Sequence, residues 1–418
     1  MSVVEVVLLL MALLAILGVI FEEVTHVSKS MVVLFFGSLA WIIMFIAAPD
    51  AAHREQIHAA FNHNIMDIAG LWLFLMATMT FVAYLNKKGL IDSVIFKILP
   101  KRISERKLLF LTALFCFVFS SIADNITATL VSMALVLSLR LELKKALRFA
   151  TLVVFAVNSG GVAMITGDVT TLMIFLAGKV QITHLMLLSL PALAAVMLLA
   201  ALLSVGMNGD VVIEPGTKVH SQKVGRMVAL IFFLTIFATI LSSLLFDIPP
   251  TLTFLAGLSV MFLVAHYLEE NVVNDPILEY IRAIEFETLL FFLGILLLVG
   301  MLQFIGVLSS LTALYDMMPS LAANFLMGLL SALIDNVPLT AALLKSDLEM
   351  NVAEWMGLTY AVGVGGSLLI IGSAAGIVAM SKLPGLTFMS YFRCFGPLLF
   401  AFLFGFLAVY GVGLIISP

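Results

Sequence analysis

The chain has 418 residues, of which 63% are hydrophobic and only 11% are charged, and its net charge is −4. A water-soluble domain carries about 25% charged residues, so this composition excludes a soluble protein and places most of the chain in a lipid bilayer. No nucleic-acid partner is expected.

Apolar stretches long enough to enter the bilayer recur along the whole sequence. A helix needs about 20 apolar residues to cross a hydrocarbon core of ~30 Å. The first six predicted elements are 3–20, 30–48, 66–86, 107–140, 147–178 and 183–207. After a polar linker at 208–224, six more are predicted at 225–246, 251–268, 284–307, 320–346, 354–381 and 391–416.

Two polar segments between these elements are predicted to lie outside the hydrocarbon core. Pro49–Asn64, which contains three histidines, is predicted to be a solvated loop. Gly89–Lys107 mixes apolar and basic residues. It is predicted to be either an interfacial helix that breaks near Pro100 or a solvated loop.

The positions of the Lys and Arg residues predict the topology. If 107–140 and 320–346 are re-entrant hairpins, each half crosses the membrane five times, and the second half is inverted relative to the first. All 21 Lys and Arg residues except Arg54, Lys179 and Lys345 then fall on one side. Cytoplasmic loops carry the excess of Lys and Arg, so this side is predicted to be cytoplasmic and both termini are predicted to lie outside.

The predicted fold is therefore an all-α polytopic membrane protein made of two inverted repeats. The first repeat covers 1–207, the second covers 225–418, and 208–224 is a cytoplasmic linker. Each repeat contains about five membrane-spanning helices, one re-entrant hairpin and one broken helix. The broken helices are predicted at about 147–178 and 354–381.

The two halves share a sequence pattern at their predicted hairpins. Ser120–Thr129 has the sequence SSIADNITAT, and Ser331–Thr340 has the sequence SALIDNVPLT. A Ser, the Asp-Asn pair, a β-branched residue and a Thr occupy the same offsets in both segments. Two such pairs in apolar surroundings indicate an internal repeat.

A glycine-rich match follows each of these segments. Asn158-Ser-Gly-Gly precedes Gly167-Asp168 in the first half, and Gly363-Val-Gly-Gly precedes Gly372-Ser373 in the second. Glycine allows backbone shapes that a Cβ forbids, and paired Gly-interrupted segments in two halves are typical of a midplane binding site in inverted-repeat transporters. The predicted backbone breaks at this site are Gly160, Gly161, Gly167, Gly365, Gly366 and Gly372.

Three carboxylates, those of Asp124, Asp168 and Asp335, lie deep within apolar stretches. Such groups are costly in a membrane and mark ion or proton paths. Thr170 and Thr171 add hydroxyl oxygens, and hard cations prefer oxygen ligands. We therefore predict cation binding at Asp124 and Asp335, with Asp168 as a third candidate.

At these residues the chain resembles the NhaD-type sodium/proton antiporters of the ion transporter superfamily, which also holds arsenite permeases and dicarboxylate carriers. The ion-site pattern of that family is matched at Asp124, Asn125, Asn158, Asp168, Thr170, Thr171, Ser331, Asp335, Asn336 and Ser373. The sequence departs from the pattern at Ile370, where a further serine is expected, and near Ala83 and Gln303, where acidic residues are expected.

The resemblance implies a secondary antiporter and not an enzyme. Such a protein exchanges Na+ or Li+ for H+ by alternating access, with Na+ at Asp124 and Asp335 and a third carboxylate at Asp168. The resemblance also implies a scaffold with a mobile domain, a homodimer, and a multi-pass location in the bacterial inner membrane. No cofactor is expected.

Two alternatives stay open at this point. The first is an anion or oxyanion carrier of the same superfamily, an arsenite permease or a dicarboxylate symporter. Carboxylates at both hairpin tips disfavour a negatively charged substrate, but neutral arsenite is harder to exclude. The second is an intramembrane aspartyl protease, whose Tyr-Asp and Gly-x-Gly-Asp motifs are not met, because Ala123, Ile334 and Ile165 occupy the critical positions.

Overall fold

The computed structural model describes residues 2–20, 27–87, 102–139, 141–212, 223–246, 248–268, 279–282, 284, 286–334, 336–346 and 348–416. These residues form 19 α-helices, one 3-10 turn and two short strands. The chain is thus a polytopic α-helical membrane protein, as its composition predicts.

The elements follow one another closely along the chain. Those of the first half are α1 (Val3–Ile20), α2 (Lys29–Ala47), α3 (Ala51–Lys87), β1 (Arg102–Ser104), α4 (Glu105–Ile122), α5 (Asn125–Ser138), α6 (Leu143–Gly161), α7 (Val169–Leu176), α8 (Ile182–Leu203) and β2 (Asp210–Val212). Those of the second half are α9 (Lys223–Phe246), α10 (Pro250–Leu268), α11 (Glu279–Arg282), α12 (Phe286–Phe304), α13 (Ser309–Met317), α14 (Ser320–Ser331), α15 (Asn336–Leu344), α16 (Val352–Gly365), the 3-10 turn Ile370–Gly372, α17 (Ala374–Lys382), α18 (Phe388–Phe392) and α19 (Phe395–Ile416).

Among the described helices, seven are long and apolar enough to cross a membrane. They are α2, α3, α8, α9, α10, α12 and α19. The other predicted crossings are α1, which is a shorter apolar helix, and the two broken helices. The number of crossings in each half stays a prediction.

The chain forms two compact units, and each unit takes segments from both halves of the sequence. Unit 1 is formed by Met1–Ala83, Leu230–Met317 and Ala341–Leu348. Unit 2 is formed by Tyr84–Ala229, Met318–Thr340 and Glu349–Pro418. Neither unit is a sequence half, so the inverted relation between repeats 1–207 and 225–418 stays a prediction.

In unit 1, helices α2 and α12 approach each other closely because glycines lie at their contact. A Cβ on Gly37 would lie 2.7 Å from the carbonyl oxygen of Gly294. One helical turn further on, the indole Nε1 of Trp41 donates a hydrogen bond to the carbonyl of Leu297 at 2.9 Å. A buried indole N–H needs such a partner, and this bond fixes the register of the two helices.

The prediction of a loop at Pro49–Asn64 is wrong. Helix α3 begins at Ala51 and continues for 37 residues, which is about 55 Å at 1.5 Å per residue. Its first six residues are exposed. After Pro49 the segment has no Gly or Pro, and it contains four Ala and one each of Arg, Glu and Gln, which favour helix. Its polarity therefore signals exposure to water and not an irregular backbone.

Each predicted hairpin consists of two helices that are interrupted at the shared Asp-Asn motif. In 107–140, α4 ends at Ile122 and α5 begins at Asn125. In 320–346, α14 ends at Ser331 and α15 begins at Asn336. Whether each pair enters and leaves on the same side of the membrane stays a prediction.

Each predicted broken helix is also interrupted at its glycines. In 147–178, α6 ends at Gly161 and α7 begins at Val169. In 354–381, α16 ends at Gly365, the 3-10 turn follows, and α17 begins at Ala374. The sequence pattern thus coincides with four interrupted elements, all with their breaks in unit 2.

A small antiparallel sheet in unit 2 joins residues 102–104 to residues 210–212. Strand β1 pairs with β2, with Ile103 opposite Val211. The strand β1 lies within Gly89–Lys107, for which we expect an interfacial helix or a loop, and residues 89–101 of that segment lie outside the described residues. The strand β2 lies in the predicted linker, so part of the linker has regular structure.

A buried carboxylate fastens this sheet to the neighbouring helices. The side chain of Glu105 is only 6% exposed, and its Oε1 accepts a hydrogen bond from Lys145 Nζ at 2.7 Å. Its Oε2 accepts from the backbone N–H of Gly209 at 3.1 Å, and its own N–H donates to the Gly209 carbonyl at 2.9 Å. These bonds hold together the starts of α4 and α6 and the chain that follows α8.

Candidate ion-binding site

Asp124 is the N-cap of helix α5 in the first hairpin. Its Oδ1 accepts hydrogen bonds from the backbone N–H groups of Ile126 at 3.1 Å and Thr127 at 3.0 Å. Its Oδ2 accepts from the Thr127 hydroxyl at 2.7 Å. Aspartate is preferred at this position, where the positive end of the helix stabilises it. A carboxylate has about four lone-pair positions, so these three bonds leave capacity for a further ligand.

A series of polar side chains connects the first hairpin with both broken helices. Ser120 Oγ lies 3.0 Å from Asn125 Oδ1, and Asn125 Nδ2 lies 3.5 Å from Asn158 Oδ1. Asn158 Nδ2 donates to Ser373 Oγ at 3.0 Å, and Ser373 Oγ caps α17 by accepting from the N–H of Gly376 at 3.3 Å. Ser120, Asn158 and Ser373 are buried, so low local polarity strengthens these bonds.

Asp168 is a buried carboxylate, 6% exposed, at the N-cap of helix α7. Its Oδ1 accepts from the backbone N–H of Thr170 at 3.3 Å, and its Oδ2 accepts from the Thr170 hydroxyl at 2.8 Å. Oδ2 also accepts from Nδ2 of Asn336 at 3.2 Å. Because Asn336 is the first residue of α15, this bond joins the second hairpin to the first broken helix.

Two glycines allow these groups to come close together. A Cβ on Gly161 would lie 2.6 Å from Asn125 Oδ1 and 3.1 Å from the Cβ of Asp168. A Cβ on Gly363 would lie 3.3 Å from Asp168 Oδ2. Asn125 and Asp168 therefore flank Gly161, and Asp168 also faces the second broken helix. The four interrupted elements converge on one buried cluster of oxygen atoms.

Residues at matching positions of the two halves make matching contacts. Ser120 Oγ donates to the carbonyl of Val157 at 2.7 Å, and Ser331 Oγ donates to the carbonyl of Val362 at 2.7 Å. In each half the serine of a hairpin thus binds the broken helix, at the residue before its Asn158 or Gly363 position.

The remaining predicted break glycines lie against backbone in the same paired manner. Gly160 faces the carbonyl of Phe117, and Gly365 faces the carbonyl of Gly328, three residues before the matching serines. A Cβ on Gly366 would lie 2.6 Å from the carbonyl oxygen of Gly372. Gly167 similarly lies against the carbonyls of Ser120 and Gly161. These glycines allow close packing of hairpin and broken helix.

Comparison with known proteins identifies the family. Residues 6–363 match the family described as Citrate transporter, CitMHS. This match covers most of the chain. The chain belongs to the CitMHS family.

Named relatives of this CitMHS protein are sodium/proton antiporters. The Na(+)/H(+) antiporter NhaD of Alkalimonas amylolytica is 31% identical over 408 residues, which cover 91% of this chain and 83% of the relative. NhaD of Vibrio cholerae is 29% identical over 404 residues, 90% of this chain and 85% of the relative. Sodium/proton antiporter 2 of Arabidopsis thaliana is 30% identical over 400 residues, 90% and 91% of the two chains.

These findings confirm the resemblance to NhaD-type proteins. They also identify this CitMHS member as a membrane transporter and not an enzyme, because its family and its relatives are transporters. The aspartyl protease alternative is therefore discarded.

The structure describes nine of the ten residues predicted to bind a cation or proton in this CitMHS protein. It brings Asn125, Asn158 and Ser373 into one series, and Asp168, Thr170 and Asn336 into another, and it places Asp124 and Ser331 at the hairpins. Thr171 is buried, and its hydroxyl has no hydrogen-bond partner within the part of the chain that the structure describes. Asp335 lies outside the described residues.

Two residues of the cluster are absent from the predicted site. Ser120 contacts Asn125, and its match with Ser331 in the sequence repeat is the signal that identifies it. Gly363 lies against Asp168, and it occupies the repeat position of Asn158. In both cases the repeat marks the residue, although its chemistry alone does not.

Proposed function

We propose that this protein exchanges Na+ or Li+ for H+ across the membrane. The sodium/proton antiport for which its relatives are named supports this proposal. The cation is bound by oxygen atoms at Asp124, Asp168 and Asp335, with the amides and hydroxyls of Asn125, Asn158, Asn336, Ser373 and Thr171 completing the site. The observation that carries the proposal is the buried carboxylate of Asp168, which lies among elements of both halves.

The chemistry of the helix ends supports a cation over an anion as the substrate. Backbone N–H groups at helix N-termini bind anions when they are free. Here Asp124 occupies two of these groups, Asp168 occupies one and Ser373 occupies another. The protein's own carboxylates thus take the positions that an anionic substrate would need, and they add negative charge.

Competition at the same carboxylates couples the two ions. A carboxylate that is shielded from water needs either a bound cation or a proton to balance its charge. Binding of Na+ therefore displaces the proton, and binding of a proton displaces Na+. Thr171 Oγ1 is buried and has no hydrogen-bond partner among the described residues, and in this proposal it is a further oxygen ligand for the cation.

Transport further requires that the site opens to one side of the membrane at a time. We propose alternating access in which unit 2, the unit that holds the described site residues, is the mobile part and unit 1 is the scaffold. In this proposal the protein is a homodimer in the bacterial inner membrane, with both termini outside and the linker 208–224 in the cytoplasm. The pattern of Lys and Arg residues supports this orientation.

The test uses everted membrane vesicles whose interior has been acidified by respiration. Addition of Na+ or Li+, but not K+, is expected to raise the internal pH in vesicles that contain the wild-type protein. Asp124→Asn, Asp168→Asn and Asp335→Asn are each expected to abolish the response while the protein remains folded in detergent. Full activity in all three variants would discard the site.

An anion carrier is the second candidate, and the description of the CitMHS family as citrate transporters favours it. Measuring uptake of labelled citrate, succinate and arsenite by the same vesicles distinguishes the two. Uptake of one of these compounds without a Na+-dependent pH change would replace the exchanger with a carrier.

A further inference from the structure

Helix α18 is a short helix between α17 and α19 whose residues differ sharply in exposure. Phe388, Met389 and Phe392 are all exposed. Tyr391 is only 1% exposed and is the one residue of α18 that is buried. The helix lies against α6 of the first broken helix and against the 3-10 turn of the second. It is therefore a neighbour of both broken helices.

Tyr391 forms a hydrogen bond with the backbone of the second broken helix. Its hydroxyl donates to the carbonyl of Ser367 at 2.5 Å. Ser367 is fully buried and lies between the end of α16 at Gly365 and the 3-10 turn that begins at Ile370. A buried carbonyl in such an irregular segment needs a partner, above all within a membrane. Tyr391 supplies that partner from a separate helix.

The N–H groups at this point of the chain bind within the broken helix itself. The N–H of Ser367 donates to the carbonyl of Val364 at 2.9 Å, and the N–H of Leu368 donates to the carbonyl of Gly365 at 2.9 Å. These bonds tie the break to the end of α16. The bond from Tyr391 comes from 24 positions away, so it fixes the break relative to α18.

The segment that receives this bond lies directly against a residue of the proposed cation site. A Cβ on Gly366, the residue before Ser367, would lie 2.6 Å from the carbonyl oxygen of Gly372 and 3.1 Å from the Cβ of Ser373. Ser373 in turn accepts the hydrogen bond of Asn158 at 3.0 Å. Because the two sides of the break are in contact, a shift on one side moves the Ser373 hydroxyl on the other.

We propose that Tyr391 is a positioning residue, whose hydroxyl holds the break of the second broken helix and thereby places the Ser373 hydroxyl for cation binding. This inference rests on the proposed function and deepens it, because it gives a role to a buried hydroxyl outside the proposed set of cation ligands. Tyr391, Ser367, Ser373 and Asn158 all belong to unit 2, so a movement of that unit as one body leaves these contacts in place.

The transport test removes the Tyr391 hydroxyl and keeps the ring. Tyr391→Phe is expected to raise the KM for Na+ about fourfold with Vmax within about twofold of wild type, because ground-state binding is weakened. The matched control is Tyr360→Phe, because Tyr360 is also fully buried in unit 2 but its hydroxyl has no hydrogen-bond partner in the described ranges of the chain. An equal KM in the two variants, or a loss of Vmax alone in Tyr391→Phe, overturns the positioning role.

A double variant tests whether Tyr391 acts through Ser373. Once Ser373→Ala has removed the hydroxyl that is to be positioned, Tyr391→Phe is expected to raise the KM by less than about 1.5-fold further, because effects on one shared contact are not additive. If the two effects on KM multiply in full, Tyr391 does not act through Ser373, and the inference is overturned.

A second measurement reports on the break without any transport. Residue 367 is fully buried, so Ser367→Cys in a background with Cys116→Ala and Cys394→Ala should react slowly with N-ethylmaleimide in purified protein. Adding Tyr391→Phe is expected to accelerate labelling at least about fivefold, because the break then opens more often. Adding Tyr360→Phe is expected to leave the rate unchanged.

The two kinds of measurement separate the failure of this inference from that of the proposed function. Unchanged labelling in the presence of Tyr391→Phe shows that the hydroxyl does not hold the break, whatever the transport result. Faster labelling with an unchanged KM overturns the positioning role alone. A wild-type protein that gives no Na+-dependent pH change overturns the proposed function, and with it the effect on binding, whereas the labelling still decides whether Tyr391 holds the break.

Discussion

The amide of Asn158 donates a hydrogen bond to the hydroxyl of Ser373 at 3.0 Å, although the two residues are 215 positions apart. Each belongs to a different broken helix, and both are buried. Ser373 uses the same hydroxyl oxygen to cap α17. This single bond therefore connects the break of the first half with the break of the second.

Removing the Ser373 hydroxyl tests whether this connection serves binding. Ser373→Ala leaves the amide of Asn158 without an acceptor, at a cost of about 1 kcal/mol. We expect the KM for Na+ to rise about fivefold, as measured by titration of Na+ in everted vesicles. The control is Ser381→Ala, because the Ser381 hydroxyl is exposed and donates to the Val378 carbonyl of its own helix. Equal KM values for the two variants would contradict the role of Ser373.

Adding a methyl group at Gly161 tests the close approach of Asn125 and Asp168. The new Cβ would lie 2.6 Å from Asn125 Oδ1, so the amide has to move, at an overpacking cost of about 1–3 kcal/mol. We expect Gly161→Ala to abolish Na+-driven pH changes while the protein still elutes as a folded species in detergent. Gly357→Ala is the matched control in the other broken helix, because its Cβ meets ordinary contacts at 3.5 Å and beyond.

The pair of Glu105 and Lys145 predicts a specific dependence of stability on pH. The hydrogen bond that the Lys145 ammonium donates to Glu105 raises the pKa of Lys145 above its ordinary value of 10.5. The stabilisation is therefore fully present below about pH 10.5 and is lost as the pH rises through the higher folded pKa. Melting temperatures of wild type and Lys145→Met should differ by a constant amount from pH 7 to 10 and converge at higher pH. If the melting temperatures of wild type and Lys145→Met already converge below pH 9, the result would contradict this pairing.

Alanine is expected to have opposite effects on stability at two glycines of unit 1. One of them lies at the contact between α2 and α12, and the other lies outside it. A Cβ on Gly294 would overlap the backbone of Val33 and Leu34, so Gly294→Ala should lower Tm by several degrees. Gly70 lies within α3 with no atom near its missing Cβ, so Gly70→Ala should stabilise the helix by about 0.5–1 kcal/mol. Thermal unfolding in detergent measures both, and the same sign for both would contradict the packing described here.

The sequence predicts the interrupted elements well because their signals are local. An Asp followed by Asn inside an apolar run caps a new helix, as at Asp124, and Gly-Gly ends one, as at Gly161. The sequence repeat adds a second, independent copy of each signal. The same capping signal predicts the position of Asp168, since its side chain caps the helix that follows it.

The sequence does not predict which of these residues meet. The bond from Asn336 to Asp168 spans 168 positions, and no local pattern contains it. The loop expected at Pro49–Asn64 is wrong for a different reason: polarity indicates exposure to water, whereas helix propensity is set by residue type. Strands of three residues, such as β1, are too short for periodicity to detect.

The pairing of β1 with β2 joins residues midway along the first half of the chain to residues just after its end. Arg102 also binds Asp210 across 108 positions, so the two ends of the segment 102–212 are held together at one place. A break in the polypeptide between residues 213 and 222 would therefore lie outside this paired segment. Two fragments that are translated separately and divided there should reassemble in one membrane into a working protein.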